Sequence, residues 1–158
     1  MADVKPIPEG YRTVTPYLSI VGAAEAIDWY IEIFGAKERM RMGAPGGTIG
    51  HAEIEIGDSI IMLADEFPDI GFLSPKTRGG TTVHIHLYVD DCDAVIAAAV
   101  KAGAKVVQKT EERFYGDRSG QIEDPFGHSW NVSTHVEDVP PEEMAKRVAA
   151  MEAEMNTG

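Results

Sequence analysis

Residues 13–37 read TVTPYLSIVGAAEAIDWYIEIFGAK, and residues 81–105 read TTVHIHLYVDDCDAVIAAAVKAGAK. Each is an alternating run that passes into a helical run and stops at Gly-Ala-Lys. In the first, Val14, Leu18 and Ile20 alternate with Thr13, Thr15, Tyr17 and Ser19, the period of two that marks a strand with one buried face. Residues 23–34 then place Ala26, Ile27, Tyr30, Ile31 and Phe34 at helical spacing, and Gly35 ends the run. In the second, Val83, Ile85, Leu87 and Val89 share a face, Asp90 or Asp91 opens a helix over 91–102, and Gly103 closes it. The stretches superpose at an offset of 68 or 69, so the chain reads as two copies of one unit.

The pattern extends outward from both copies. Beyond the first lie β-type runs at 37–42, 49–56 and 59–64, with Gly57-Asp58 as a hairpin turn; beyond the second they lie at 105–110, 119–124 and 128–135. The predicted fold is α+β: two tandem βαβββ modules over residues 12–66 and 81–138, joined by a Phe, Pro and Gly-rich loop, 67–80. Each module buries its apolar strand face under its own helix, leaving polar faces to form a cleft between curved mixed sheets. Residues 139–158 form a C-terminal amphipathic helix and tail, with Met144, Val148, Met151 and Met155 on one stripe.

Composition narrows the function classes. With 158 residues, 44% of them apolar, the chain buries a core without disulfides or structural metal. Cys92 is the single cysteine and the opening MADVKPIPEG lacks an apolar leader, which points to a reducing, cytoplasmic setting. No apolar run approaches the roughly 20 residues of a membrane span. A net charge of −12 repels nucleic acid and anionic lipid while suiting cationic aromatic ligands. The expected partner is therefore a small molecule, with neither nucleic acid nor membrane.

Strand parity selects the candidate site residues. In 49–56, Ala52, Ile54 and Ile56 take the helix side, so His51, Glu53 and Glu55 take the open side; in 81–89, Thr82, His84, His86 and Tyr88 do. In 129–135, Trp130 and Val132 are assigned to the core, with Ser129, Asn131, Ser133 and His135 opposite. Two readings of His84 and His86 stand: with Glu53 they make a two-His, one-carboxylate metal site, or they hydrogen-bond on a half-wet strand. Arg118 likewise either reaches the cleft mouth as a ligand donor or pairs with Asp117 to brace a turn. Asp124-Pro125-Phe126-Gly127-His128 is a turn by composition. Tyr17, Tyr88, Tyr115, Phe67 and Phe72 are candidate cleft aromatics. Nucleophile-elbow, phosphate-loop, dinucleotide and CxxC motifs are all missing from the sequence.

The doubled βαβββ order, the stretch TPYLSIVGAAEAIDWYIEIFGAKE and the close DRSGQIEDPFGHSWNV resemble the vicinal-oxygen-chelate superfamily of glyoxalase I, extradiol dioxygenases and bleomycin-resistance proteins. The resemblance spans roughly residues 12–138. Within it, TPYL, GHAEIEIGDSIIMLADE and DPFGHSW are similar to the PhnB-like branch, most of whose members have no assigned reaction. In metal-dependent members the ligands come from the first and last strands of each module. The resemblance lays those positions on Thr15, Met62, His84 and Asn131, of which only His84 is an ordinary ligand for a divalent ion.

The expectation is thus a bleomycin-resistance-like protein that binds a small molecule in its cleft without metal or other cofactor, as a homodimer. Tyr17, His51, Glu53, His84, His86, Tyr88, Arg118 and Asn131 are its expected ligand-binding residues. The alternative is a metal-dependent lyase, isomerase or dioxygenase with a divalent ion relocated to His84, His86 and Glu53. A third reading is a regulatory dimer whose C-terminal helix docks a partner.

Overall fold

Gly22 and Gly35 bracket the first helix, both in left-handed backbone at φ 87° and 65°, a region residues with a Cβ enter only at a cost. They separate β1 (Tyr17–Ile20), α1 (Ala23–Phe34) and β2 (Lys37–Gly43). Two further strands, β3 (Ile49–Ile56) and β4 (Ser59–Asp65), turn back on each other through Gly57, and the sheet runs β1-β4-β3-β2 with β1 parallel to β4. Gly22 gives α1 no side-chain cap, and Asp65 supplies one from the end of β4. One oxygen accepts from the amides of Gly22 and Ala23 at 3.0 and 3.1 Å, and the other accepts from Ile49 at 2.7 Å. A carboxylate there also meets the positive end of the helix dipole.

The computed structural model describes residues 3–158, which fall into two units. The first runs to Thr82 and takes in Phe126–His128; the second holds Val83–Pro125 and the chain from Ser129 on. In the first, Ala26, Ile27, Tyr30 and Phe34 of α1 are buried together with Ile20, Ala52, Ile54 and Leu63 of the sheet. Each aliphatic side chain so buried contributes about 1.5–3 kcal/mol. Ile31, expected in this core, is exposed, one step past the edge of the helical arc that Trp29 and Ile33 close on the other side. The loop after β4 carries two local elements, a 3₁₀ turn at Pro68–Ile70 and the single-turn helix α2 (Pro75–Arg78).

The second unit repeats the order with β5 (His84–Tyr88), α3 (Cys92–Lys101), β6 (Lys105–Glu112), β7 (Asp117–Glu123) and β8 (Ser129–His135). Its sheet runs β5-β8-β7-β6, with β5 parallel to β8. Asp91, not Asp90, caps α3, its carboxylate accepting from the Ala94 amide at 3.0 Å. Trp130, Val132 and Ile122 form the core with Cys92, Ile96 and Ala99. Val14 and Val83, read as strand residues on the buried face, precede β1 and β5 and are exposed, in the first case because Pro16 breaks the run. Ser129 and Ser133, placed on the open side, are buried, and Ser133 donates to Ser119 Oγ at 2.8 Å.

The last helix, α4 (Pro141–Asn156), has no buried residue. Arg147 ties it down, donating to both carboxylate oxygens of Glu137 at 2.7 and 2.9 Å and to the Phe114 carbonyl at 2.9 Å. Among the described residues, no helix is long and apolar enough to cross a membrane.

Candidate functional site

Strand register builds the site of the second unit. His86 of β5 stands opposite Asn131 of β8, Asn131 opposite Gln121 of β7, and Gln121 opposite Gln108 of β6. Side chains of one pleat row share a face, so an imidazole and three amides cross the sheet in line. They open on a cavity of about 270 Å³, to which Arg113, Tyr115 and Ser119 also contribute. Arg113 follows β6, and its guanidinium donates to the Ser119 carbonyl at 3.2 Å and to Glu111 Oε2 at 3.3 Å. Gln121 is only 8% exposed, so what exposure it keeps is toward this cavity.

This lining offers donors and acceptors in a fixed row, one guanidinium and no carboxylate. It fits a ligand with carbonyl, amide or anionic oxygen groups. The cationic ligand suggested by the net charge finds no acid to meet in this cavity.

A second, more open cavity of about 470 Å³ lies at the end of β5 and β8, lined by Tyr88, Val89, Asp90, Thr134 and His135. Buried Asp117 accepts from the Tyr88 hydroxyl at 2.8 Å and sits 2.7 Å from His135 Nδ1, while His135 Nε2 lies 2.8 Å from Asp138. Burial pushes the Asp117 carboxyl up, but the bonds from His135 and Tyr88 outweigh it and hold it below the ordinary range. The same carboxylate, with Asp138, raises His135, and its bond to Tyr88 raises that phenol. Tyr88 is thus committed within the protein.

The first unit carries its polar residues in the equivalent row, Tyr17 opposite Met62, Met62 opposite Glu53 and Glu53 opposite Met40. Tyr17 Oη lies 3.0 Å from His51 Nδ1, and His51 Nε2 lies 3.2 Å from Glu53 Oε1. The other Glu53 oxygen accepts from the Tyr11 hydroxyl, whose ring lies under the Arg39 guanidinium.

The structure therefore brings together His86 and Asn131 at one cavity and Tyr17, His51 and Glu53 in one hydrogen-bonded chain. His84 is exposed on the same strand as His86, opposite Ser129, and does not line the cavity. Arg118 corrects both of its readings. It is a β7 residue paired with Thr134, shares a face with Gly120 and Ile122, and forms a two-bond pair with Asp93 of α3 at 2.6 and 3.0 Å. That turns it to the helix side, away from the open face, and leaves Asp117 to Tyr88 and His135. Sequence reading missed Arg113, Gln108, Gln121 and Tyr11. The two glutamines carried a usable signal, since the repeat offset of 68 sets Gln108 and Gln121 against Met40 and Glu53.

Metal-ligating groups do not converge. Among the described residues, no three His, Cys, Asp or Glu side chains are gathered as a metal site requires. Both carboxylate oxygens of Glu53 are engaged by Tyr11 and His51. Glu53 is thus committed to partners within the first unit. Thr15 lies before β1, with its hydroxyl on the Arg12 carbonyl at 3.3 Å.

The chain has recognisable relatives. A family model described as the Glyoxalase/Bleomycin resistance protein/Dioxygenase superfamily matches residues 18–132. An uncharacterized protein of Mycobacterium bovis is 40% identical over 134 residues, covering 83% of this chain and 88% of that one. The crystal structure of TioX from Micromonospora sp. ML1 superposes with a TM-score of 0.60 at 24% identity, over 82% of this chain and all of the other. FosX, a fosfomycin resistance protein of Listeria monocytogenes solved with Mn(II) and sulfate, superposes at 0.61 with 17% identity, over 87% and 97% of the two chains. At those identities the two structures speak for the fold alone.

Proposed function

Because the chain belongs to the glyoxalase/bleomycin resistance protein/dioxygenase superfamily, we propose that it binds a small molecule without a metal ion, in the cavity on the open face of the second sheet. One observation carries this reading: the continuous row His86, Asn131, Gln121 and Gln108, with Arg113 beside it, around a cavity of about 270 Å³. A row of neutral hydrogen-bonding groups next to one guanidinium recognises an oxygen-rich neutral or anionic ligand. Asn131, one of the positions the superfamily uses for metal, serves in this chain as a direct ligand contact. Tyr115 supplies an aromatic wall.

On this reading the protein is a homodimer and works in a reducing cytoplasm, the compartment alone being supported by its one buried thiol, and it stands near the PhnB-like branch on its DPFGHSW close. At the positions where the resemblance puts the superfamily's metal ligands, an ion would have to accept Thr15, Met62, His84 and Asn131, a set with one good ligand.

A thermal-shift screen of carboxylates, phosphonates and lactams against untagged, chelator-treated protein tests the proposal. Ligands found this way should lose about tenfold or more in affinity in Arg113→Ala and in Asn131→Ala, the equivalent of one lost charge-assisted or buried hydrogen bond. Binding that survives both substitutions, or that needs an added divalent ion, overturns it.

A further inference from the structure

The open face of the first sheet holds an arrangement that the ligand cavity does not use. Glu53 is 5% exposed, with one oxygen accepting from Tyr11 and the other 3.2 Å from His51 Nε2. Burial pushes this carboxyl up, but its hydrogen bonds from Tyr11 and His51 bring it below the ordinary range. An ionised carboxylate only accepts, so the proton between Glu53 and His51 sits on Nε2. In the neutral imidazole that leaves a lone pair on Nδ1, and the group within reach of it is the Tyr17 hydroxyl at 3.0 Å. Carboxylate, imidazole and hydroxyl thus follow one another with the proton direction of a nucleophilic triad.

The end of this chain is accessible. Tyr17 is 48% exposed while Glu53 behind it is buried. The Phe72 ring packs 5.1 Å from the Tyr17 ring, and Met62 is its direct neighbour across the strand pair, so the hydroxyl sits at the edge of an apolar platform.

We propose that Tyr17 Oη is a nucleophile toward activated acyl esters, with His51 as its proton acceptor and Glu53 as the residue that positions His51. In the acyl-transfer step Oη bonds to the acyl carbon, the Tyr17 proton passes to His51 Nδ1, and the bond from the acyl carbon to the leaving oxygen breaks with its electron pair. The imidazolium is balanced by Glu53 until its proton passes to the leaving oxygen or to water. Hydrolysis of the acyl-tyrosine by water then frees a carboxylic acid and restores Tyr17. This chemistry is independent of ligand binding in the second unit, and each can fail alone.

The test is acylation of the full-length chain by p-nitrophenyl acetate, followed by nitrophenolate release and by mass spectrometry of acid-quenched protein. Tyr17 should acquire the acetyl group about 100-fold faster than Tyr115, a partly exposed internal reference. Tyr17→Phe should abolish the fast phase. His51→Ala should lower Tyr17 to the rate of Tyr115 and remove the solvent deuterium isotope effect that proton transfer to His51 gives the wild-type Tyr17 rate, a signature a bracing role would not give. Glu53→Gln should slow Tyr17 about tenfold or more with the circular dichroism spectrum unchanged; if that variant unfolds, the isotope effect and its loss in His51→Ala decide the matter. Acetylation of Tyr17 no faster than Tyr115, a rate indifferent to His51, or an acetyl group found on lysine or on His51 instead overturns the proposal.

Discussion

Asp117 on β7 stands directly opposite His135 on β8, with its Oδ1 2.7 Å from the histidine Nδ1. The pair sets a pH window. The Asp117 carboxyl is lowered from an ordinary 3.8, so its contribution to stability is present above that value and is lost as pH falls through the lowered one. His135 is raised from 6.5 by its bonds to Asp117 and Asp138, so its contribution is complete below 6.5 and is lost as pH rises through the raised value. Thermal unfolding between pH 3 and pH 9 should show wild type exceeding His135→Gln most within that window and converging with it on both sides. A difference independent of pH contradicts the assignment.

Asp65 holds three backbone amides at the start of α1 and of β3. Asp65→Ala leaves all three without that acceptor and should lower stability by about 3 kcal/mol in urea titration. Asp65→Asn, which keeps one acceptor oxygen, should cost about 1 kcal/mol. Equal losses would show that the cap acts through charge and not through the bonds.

Gly116 takes φ 99° in the turn before β7, and a Cβ built there would lie 2.1 Å from the Glu137 carbonyl oxygen. That oxygen is backbone and cannot swing aside. Gly116→Ala should therefore cost at least about 2 kcal/mol, against about 1 kcal/mol for Gly46→Ala, where φ is 83° and the space is open. Similar values by urea unfolding would remove the steric part.

Arg147 anchors α4 through Glu137 and the Phe114 carbonyl. Since the helix has no buried residue, Arg147→Ala should raise amide hydrogen exchange throughout residues 141–156 and leave β7 and β8 protected. Unchanged exchange in the helix would place its anchorage elsewhere.

The backbone was easier to read from sequence than the side-chain directions. Residues 23–34 were legible as α1 because two glycines and one apolar arc mark its ends and face. The same holds for 50–56, where alternation is unbroken and places Ala52, Ile54 and Ile56 correctly. Arg118 was not legible, because its side depends on where β7 begins: a strand starting at residue 119 leaves it in a loop, whereas β7 starts at Asp117. Ser129 and Ser133 keep the face of Asn131 that parity gives them, yet both are buried, because a small hydroxyl buries as easily as it solvates when a partner such as Ser119 lies opposite Ser133. Arg113 carries no periodic signal at all. It reaches the cavity only because the chain folds back from β6 into β7, where its amide donates to the Asp117 carbonyl.

Metal-free binding is tested most directly by plasma mass spectrometry of untagged protein after soaking in Mn²⁺, Fe²⁺, Ni²⁺ and Zn²⁺ and exhaustive dialysis, in wild type and in the double substitution His84→Ala with His86→Ala. A cavity that binds its ligand without an ion predicts metal well below stoichiometric in both proteins. One ion retained per wild-type chain and lost from the double variant would contradict it, and would make His84 and His86 the start of a metal centre.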